Sequence, residues 1–131
     1  MKLIGSLGLA ALVALALPGV AALAHPRLIA STPAAQASVS APTTVQMRFS
    51  ERLVAPMTGA EVTRAAMAAM PGMASHPAGK IGGFSARVGD DGKTLTLTRR
   101  QPLAAGHYSV AWHAVSVDTH RIAGRFEFTV R

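Results

Sequence analysis

The sequence predicts an all-β domain of about seven antiparallel strands, arranged as a Greek-key barrel or sandwich. Apolar and polar residues alternate along several short segments, which is the period of a strand with one buried face. Turn-forming residues separate these segments at short intervals. Beyond the first 24 residues, no stretch has the pattern of a credible helix, so we expect strands throughout the domain.

Four segments carry the alternation most clearly. In the first, Val45, Met47 and Phe49 alternate with polar residues, so we expect Met47 in the core. In the second, Leu95 and Leu97 alternate with threonines. The inward positions of the two C-terminal segments are Tyr108, Val110, Trp112, Phe126, Phe128 and Val130. Turn signals fall at Thr32-Pro33, Ala41-Pro42, Gly89-Asp90-Asp91-Gly92, Pro102 and Ala105-Gly106.

Residues 1–24 are typical of a cleaved secretory signal peptide. Lys2 precedes an apolar run from Leu7 to Leu17, and small residues follow at Ala22 and Ala24. The run is about 11 residues long, whereas a membrane-spanning helix needs about 20. We therefore expect cleavage before His25 and export, with residues 25–131 forming one domain without a membrane span.

Composition narrows the chemistry of the exported domain. The chain has no cysteine, so it folds without disulfides and its only soft ligands are thioethers. Its formal net charge is +7, and loss of Lys2 with the signal peptide lowers it to +6. The basic residues are scattered singly except for Arg99-Arg100, and no aromatic ladder accompanies them. This pattern argues against nucleic-acid binding.

A methionine-rich segment predicts a site for Cu(I). Within the low-complexity stretch from Ala65 to Gly83, which we interpret as a long loop, the candidate donors are Met67, Met70, Met73 and His76. A spacing of three fans side chains over half of a helix, and Pro71-Gly72 would break one. In an extended polyproline-like segment the four side chains point the same way. Thioethers with one imidazole suit Cu(I); packing of an apolar loop is the alternative.

A second candidate site joins the two ends of the domain. Cleavage before His25 would expose an α-amino group beside an imidazole, and the two nitrogens can chelate one metal ion. Pro26 has no amide N–H, so the next ligand must come from elsewhere. Asp118 and His120 share a face of an extended segment, and imidazole and carboxylate suit Cu(II). A surface ion pair is the simpler explanation for Asp118 and His120 taken alone.

Several motifs together resemble one family. They are His25-Pro26-Arg27-Leu28, Ser31-Thr32-Pro33-Ala34, Phe49-Ser50-Glu51, Met70-Pro71-Gly72-Met73 with His76, the stretch 102–108 and above all the stretch 112–120 running to Gly124 and Phe126. On these residues the chain resembles the CopC-type periplasmic copper-resistance proteins. The chain departs from members with a further methionine after the loop histidine, because Pro77-Ala78-Gly79 follows here.

The resemblance implies a Greek-key β-barrel related to cupredoxins and immunoglobulin-like sandwiches. It implies a Cu(II) site at His25, Asp118 and His120, and a Cu(I) site at the opposite end of the barrel. The residues implied for Cu(I) are Met67, Met70, Met73 and His76. It also implies a monomeric carrier or buffer of copper in the periplasm, with a CopD-type inner-membrane protein as partner.

Two other classes of function compete with a carrier. An N-terminal histidine chelate joined by another histidine resembles the copper brace of oxidative polysaccharide-cleaving enzymes. Asp118 would fill a position that oxygen activation needs open, and the domain is small for a substrate platform. A structural or adhesive sandwich domain would give no reason for the three ligand-bearing segments. The sequence therefore favours a non-enzymatic copper-binding protein.

Overall fold

The computed structural model describes residues 25–66 and 78–131, which form a sandwich of two β-sheets. Its strands are β1 (Leu28–Thr32), β2 (Ser38–Val39), β3 (Thr44–Phe49), β4 (Gly59–Arg64), β5 (Gly79–Lys80), β6 (Ser85–Val88), β7 (Thr94–Thr98), β8 (Gly106–Val115) and β9 (Arg121–Val130). Seven of these strands have four residues or more, and β2 and β5 have two each. The predicted all-β fold is confirmed.

Helical structure in the described part of the chain is limited to one short 3-10 turn, Ala55–Met57. None of the helical structure in residues 25–66 and 78–131 is long and apolar enough to cross a membrane. The predicted processing site and residues 1–24 lie outside the described residues, so cleavage before His25 stays a prediction.

The two sheets differ in size and share one long hairpin. The first sheet has the order β1-β3-β7-β6, and the second has the order β2-β9-β8-β4-β5. Among the described strands, only β2 and β9 pair in parallel. In the β8–β9 hairpin, Val115 pairs with Arg121 at one end and Gly106 with Val130 at the other.

The direction of this hairpin defines the two ends of the sandwich. We call the end that holds residues 116–120 the hairpin end. The opposite end we call the loop end, because residues 65–78 join β4 and β5 there. Arg64, the last residue of β4, pairs with both Gly79 and Tyr108, and so lies near the start of β8.

The alternating apolar residues fill the space between the sheets, as the sequence predicts. Val45, Met47 and Phe49 are completely buried, which confirms Met47 as a core residue. Leu95 and Leu97 lie beside them on β7, the neighbouring strand of the same sheet. The second sheet contributes Val62, Tyr108, Val110, Trp112, Phe126, Phe128 and Val130. This core uses none of the candidate metal ligands, so it can form without metal.

Two aromatic contacts show how the core is packed. The rings of Phe49 and Trp112 meet edge to face across the two sheets, with centroids 5.1 Å apart. Tyr108 and Phe128 stack on neighbouring strands, with centroids 5.5 Å apart. Such pairs contribute about 0.5–1.5 kcal/mol beyond the area they bury. Trp112 is thereby held between a ring of the opposite sheet and the backbone of its own sheet.

Gly124 lies where the Trp112 indole crosses β9, and its replacement by alanine should destabilise the fold. A Cβ at Gly124 would be 2.8 Å from Trp112 Cε2 and closer still to Cζ2. Because Trp112 is buried against Phe49, we expect Gly124→Ala to lower the free energy of unfolding by about 1–3 kcal/mol. Urea unfolding would measure the change. Gly82→Ala is a matched control, since a Cβ there meets nothing within 4 Å; equal losses in the two variants would refute this account of Trp112.

Candidate metal centre

The turn between β8 and β9 holds Asp118 and His120 in a fixed local geometry. The Ser116 N–H donates to the His120 carbonyl (3.0 Å), and the Thr119 N–H donates to the Ser116 carbonyl (2.8 Å). Thr119 has a φ of 75°, a conformation that residues other than glycine adopt seldom. The chain therefore reverses sharply between Asp118 and His120, and this turn brings their side chains together.

Asp118 accepts hydrogen bonds through both carboxylate oxygens. Its Oδ2 lies 3.0 Å from His120 Nδ1. Its Oδ1 accepts from the Ser116 hydroxyl and, at 3.4 Å, from the His120 backbone N–H. Ser116 is almost completely buried, with 1% of its surface exposed. No pattern in the sequence singled out Ser116, because its hydrogen bond to Asp118 depends on the turn at Thr119.

This contact determines which nitrogen of His120 is available for a metal. An ionised carboxylate can only accept hydrogen bonds, so the ring nitrogen facing it, Nδ1, carries the proton. In the neutral imidazole the lone pair then lies on Nε2. A carboxylate that fixes the tautomer of a histidine in this way is the usual outer partner of a metal-binding imidazole. Asp118 thus orients His120, and its remaining lone pairs leave it a candidate ligand as well.

His25, at the start of the domain's sequence, lies against the same turn. Its imidazole ring meets that of His120 nearly at right angles, with centroids 4.5 Å apart. The following residues are anchored: Pro26 is buried, and Arg27 exchanges two hydrogen bonds of 2.9 Å with Ser50. The structure therefore brings together all three residues predicted for Cu(II).

The turn is fixed to the segment that precedes β4. The Val54 N–H donates to the Val115 carbonyl (2.8 Å), and the Val117 N–H donates to the Arg52 carbonyl (3.0 Å). Val115 is buried and Ile122 is half-buried, as expected for residues that anchor the segment on the core. Alternation with Val115 would place Val117 on the core as well, but this expectation is wrong, because 62% of the Val117 surface is exposed. It lies beyond Ser116, where the chain leaves the sheet and the alternation of faces ends.

The three side chains are close, but they do not yet converge on one point. Within residues 25–66 and 78–131, no three His, Asp or Glu side chains form a group that would hold a metal ion as it stands. The cause is geometric, since Asp118 Oδ2 faces His120 Nδ1 rather than a shared centre. Cleavage before His25 would add an α-amino nitrogen to the two imidazoles, and such a nitrogen-rich donor set is of the kind that suits Cu(II). Asp118 and His120 are exposed, so a metal partner could reach them.

The hydrogen bonds to Asp118 also lower its pKa. The Ser116 hydroxyl first, and then His120, hold the pKa of Asp118 at about 2, below its usual 3.8, against a small opposing effect of burial. Because the folded-state pKa lies below the unfolded one, about 3.9, the stabilisation from these bonds is complete above about pH 4 and is lost as the pH falls through about 2. Asp118 is therefore a carboxylate at any pH near neutrality.

Ser116→Ala should raise the pKa of Asp118 toward its usual value, because it removes the largest of these effects. Carboxyl carbon shifts of the metal-free protein, followed by NMR from pH 7 to pH 1.5, would give the titration. Asp91 provides an internal control: a hydrogen bond from the Thr94 hydroxyl lowers its pKa, and Ser116→Ala should leave that titration unchanged. An Asp118 titration identical in both proteins would contradict the role of Ser116.

The predicted Cu(I) ligands Met67, Met70, Met73 and His76 lie outside the described residues. The described flanks do fix where their segment leaves the sandwich. Arg64 pairs with Gly79 and Thr63 with Lys80, so the two flanks run side by side at the loop end. Tyr108 pairs with Arg64, and Ser116 contacts Asp118. Tyr108 and Ser116 are eight residues apart along an extended segment, which corresponds to about 26 Å. The flanks of the methionine segment are thus far from the His25–His120 pair.

Other candidate residues have simpler positions. His107 and His113 lie on the outer face of the second sheet, and His107 Nδ1 is 2.9 Å from the Thr129 hydroxyl oxygen. Trp112 is a core residue, and no described group accepts a hydrogen bond from its indole N–H. Met57 has 56% of its surface exposed. The segment 89–92 is a hairpin turn between β6 and β7, as predicted.

Comparison with known proteins identifies the relatives of this chain. A family model described as the CopC domain matches residues 28–131. Copper resistance protein C of Escherichia coli is 44% identical over 112 residues, which cover 84% of each chain. Copper resistance protein C of Xanthomonas campestris pv. juglandis is 41% identical over 120 residues, 92% of this chain and 91% of the relative. The crystal structure of PcoC, a methionine-rich copper resistance protein from Escherichia coli, superposes with a TM-score of 0.71 at 39% identity, covering 82% of this chain and all of that one.

Proposed function

This chain belongs to the CopC family, and from that premise we propose that it is a periplasmic copper-binding protein that buffers or carries copper in copper resistance. It uses a Cu(II) site built from His25, Asp118 and His120, and a Cu(I) site built from the methionine segment. Copper is cargo in both sites. A CopD-type inner-membrane protein is the partner that the family suggests for transfer.

One observation carries the proposal for Cu(II). His25 is the first residue of the domain and His120 lies near the end of its sequence, yet their ring centroids are 4.5 Å apart beside the carboxylate of Asp118. No core contact requires this meeting, because all three residues are exposed. Since cleavage before His25 would add an α-amino nitrogen at the same place, the arrangement supports a nitrogen-rich site for Cu(II).

The proposal for Cu(I) has separate support. The relatives include PcoC, a methionine-rich copper resistance protein from Escherichia coli, and this chain holds three methionines and a histidine at a spacing of three. Their segment leaves the sandwich at the loop end, so the two oxidation states would be held far apart. Such separation allows one site to load or unload without displacing the other.

The exposure of the Cu(II) site favours carriage over catalysis. An oxidative copper enzyme needs an open coordination position at the metal where oxygen can bind, whereas a carrier needs its metal to be within reach of a partner protein. In this protein 48% of the His120 side chain and 39% of the Asp118 side chain are exposed, and Asp118 lies beside the candidate ligands. We therefore propose that the protein is not an enzyme.

Metal titration of the processed protein in both oxidation states tests the proposal. We expect one equivalent of Cu(II) at the hairpin end, detected by electron paramagnetic resonance, and one of Cu(I), detected by competition with a chromogenic chelator. Adding a reductant should release copper from the Cu(II) site or move it to the methionine segment, without sustained consumption of oxidant. Steady copper-dependent consumption of peroxide coupled to cleavage of a polysaccharide, and lost in His120→Ala, would establish the oxidative enzyme instead.

A further inference from the structure

The only adjacent pair of basic residues in the domain, Arg99-Arg100, lines a groove whose described lining contains none of the proposed copper ligands. The groove lies at the loop end, beside the edge of the first sheet, and has a volume of about 560 Å³. Its lining residues are Gly83, Ser85, Thr98, Arg99, Arg100 and Gln101. Two guanidinium groups, two hydroxyl groups and one amide therefore face it, and no carboxylate does.

Arg99 is held in place before any ligand arrives. Its Nε donates to the Gly82 carbonyl (3.0 Å), and its Nη1 donates to the carbonyls of Gln101 (2.8 Å) and Pro102 (3.2 Å). These bonds use three of the five N–H donors of the guanidinium group. The two on Nη2 have no hydrogen bond to a described residue, so a fixed cation with two directed donors remains for an anionic group.

The groove continues along β6, which is an edge strand. β6 lies at the end of the order β1-β3-β7-β6 and pairs only with β7 among the described strands. Ser85, Ala86 and Arg87 are all exposed. Arg87 adds a third cation along this edge, and its contact with Asp90 is 3.9 Å long between highly exposed groups, which gives little neutralisation. An edge strand with free backbone groups is a template for an added strand.

Charge is distributed unevenly between the ends of the sandwich. The acidic residues Glu51, Asp90, Asp91 and Asp118 are at the hairpin end, and Glu61 is paired with Lys80 at 3.0 Å. Glu127 lies on the outer face of the second sheet. The loop end carries Arg64, Lys80, Arg99, Arg100 and Arg131. The hairpin end also holds basic residues, which offset its carboxylates; they are Arg27, Arg48, Arg52, Lys93 and Arg121. The excess of positive charge therefore lies at the loop end, on the side of the groove.

We propose that the β6 edge and the adjoining groove dock an acidic, extended segment of a partner protein. The segment pairs with β6 as an added strand and sets carboxylates against Arg99 and Arg100. A lipid surface fits less well, because among residues 25–66 and 78–131 the exposed large apolar side chains, Ile29, Met57 and Val117, lie toward the hairpin end and away from this groove. None of the described residues that form this surface is a proposed copper ligand.

An eight-residue peptide of alternating glutamate and threonine, added to the copper-free processed protein at low salt, tests the proposal. We expect amide shift changes in NMR spectra that are centred on residues 83–88 and 98–101, and no binding of the peptide with lysine in place of glutamate. Arg100→Gln should weaken binding about two- to fivefold, as removal of an exposed cation from an ion pair does. Arg125→Gln is the matched control, because Arg125 is an exposed arginine of β9 on the other sheet.

Four results would overturn the proposal. They are the absence of peptide binding at low salt, shift changes located elsewhere, equal weakening by Arg100→Gln and Arg125→Gln, and equally strong binding of inorganic phosphate or of phosphatidylglycerol vesicles at the same residues. The last result would assign the groove to a small oxyanion or to a membrane surface. Because no copper is present, the outcome does not depend on the function proposed for the metal sites.

Discussion

A single residue added ahead of His25 should reduce the affinity for Cu(II) by more than about 100-fold, which is beyond the usual effect of losing an outer partner of a metal ligand. The extension converts the α-amino group of His25 into an amide, and an amide nitrogen binds metal only after it loses a proton that it holds strongly. The new amine would lie at least one residue away from the imidazole. The chelate that joins the amine to the His25 ring would therefore be lost.

Competitive titration with a Cu(II) chelator would measure this effect, and electron paramagnetic resonance would report the change in nitrogen ligation. The same residue added after Arg131 is the control, since it leaves His25 unaltered. Mass spectrometry of exported protein should find His25 as the first residue. If the extended protein binds Cu(II) as tightly as the processed one, the amine is not a ligand and the proposed site is wrong.

Replacing Met67, Met70 and Met73 together by leucine should abolish Cu(I) binding and leave the Cu(II) spectrum unchanged. Leucine has nearly the volume of methionine and lacks the thioether, so the change removes the ligands with little disturbance of packing. His120→Ala should do the reverse, because the Cu(II) ligands lie at the other end of the sandwich.

Competition with a chromogenic Cu(I) chelator under anaerobic conditions would measure the loss. Met57→Leu is the control, since Met57 is an exposed methionine outside the segment. Retention of Cu(I) affinity by the triple variant would favour the alternative in which the segment packs as an apolar loop. Loss of both oxidation states in either variant would mean that the two sites are not separate.

The strands that could be predicted from the sequence are those that bury the most apolar surface. Strands β3, β7, β8 and β9 place two or more large apolar residues on one face, and the sequence showed all four. β4 buries only Val62 as a large residue, and β6 buries none, so neither had a pattern to recognise. Their pairing with β8 and β7 is determined by backbone hydrogen bonds, which no side-chain pattern records.

The residues of the candidate site could be predicted from the sequence, but most of the contacts between them could not. His25, Asp118 and His120 followed from ligand chemistry, and the structure brings them together. The hydrogen bond from Ser116 to Asp118 and the contact of Asp118 with Nδ1 of His120 could not be read from spacing, because they depend on the sharp reversal at Thr119. The ligation of copper by these residues, and by the methionine segment, stays a prediction.

The meeting of His25 with His120 also affects when the protein can first hold Cu(II). A chain that crosses a membrane unfolded, N-terminus first, presents His25 roughly 95 residues before His120 arrives. Contacts between such distant residues form late, because a long stretch of chain must be ordered before they are made. A nascent chain that ends before Asp118 would then carry only one of the three side chains of the proposed Cu(II) site. Occupancy of the complete proposed site would therefore report that translocation and folding had reached the β8–β9 turn.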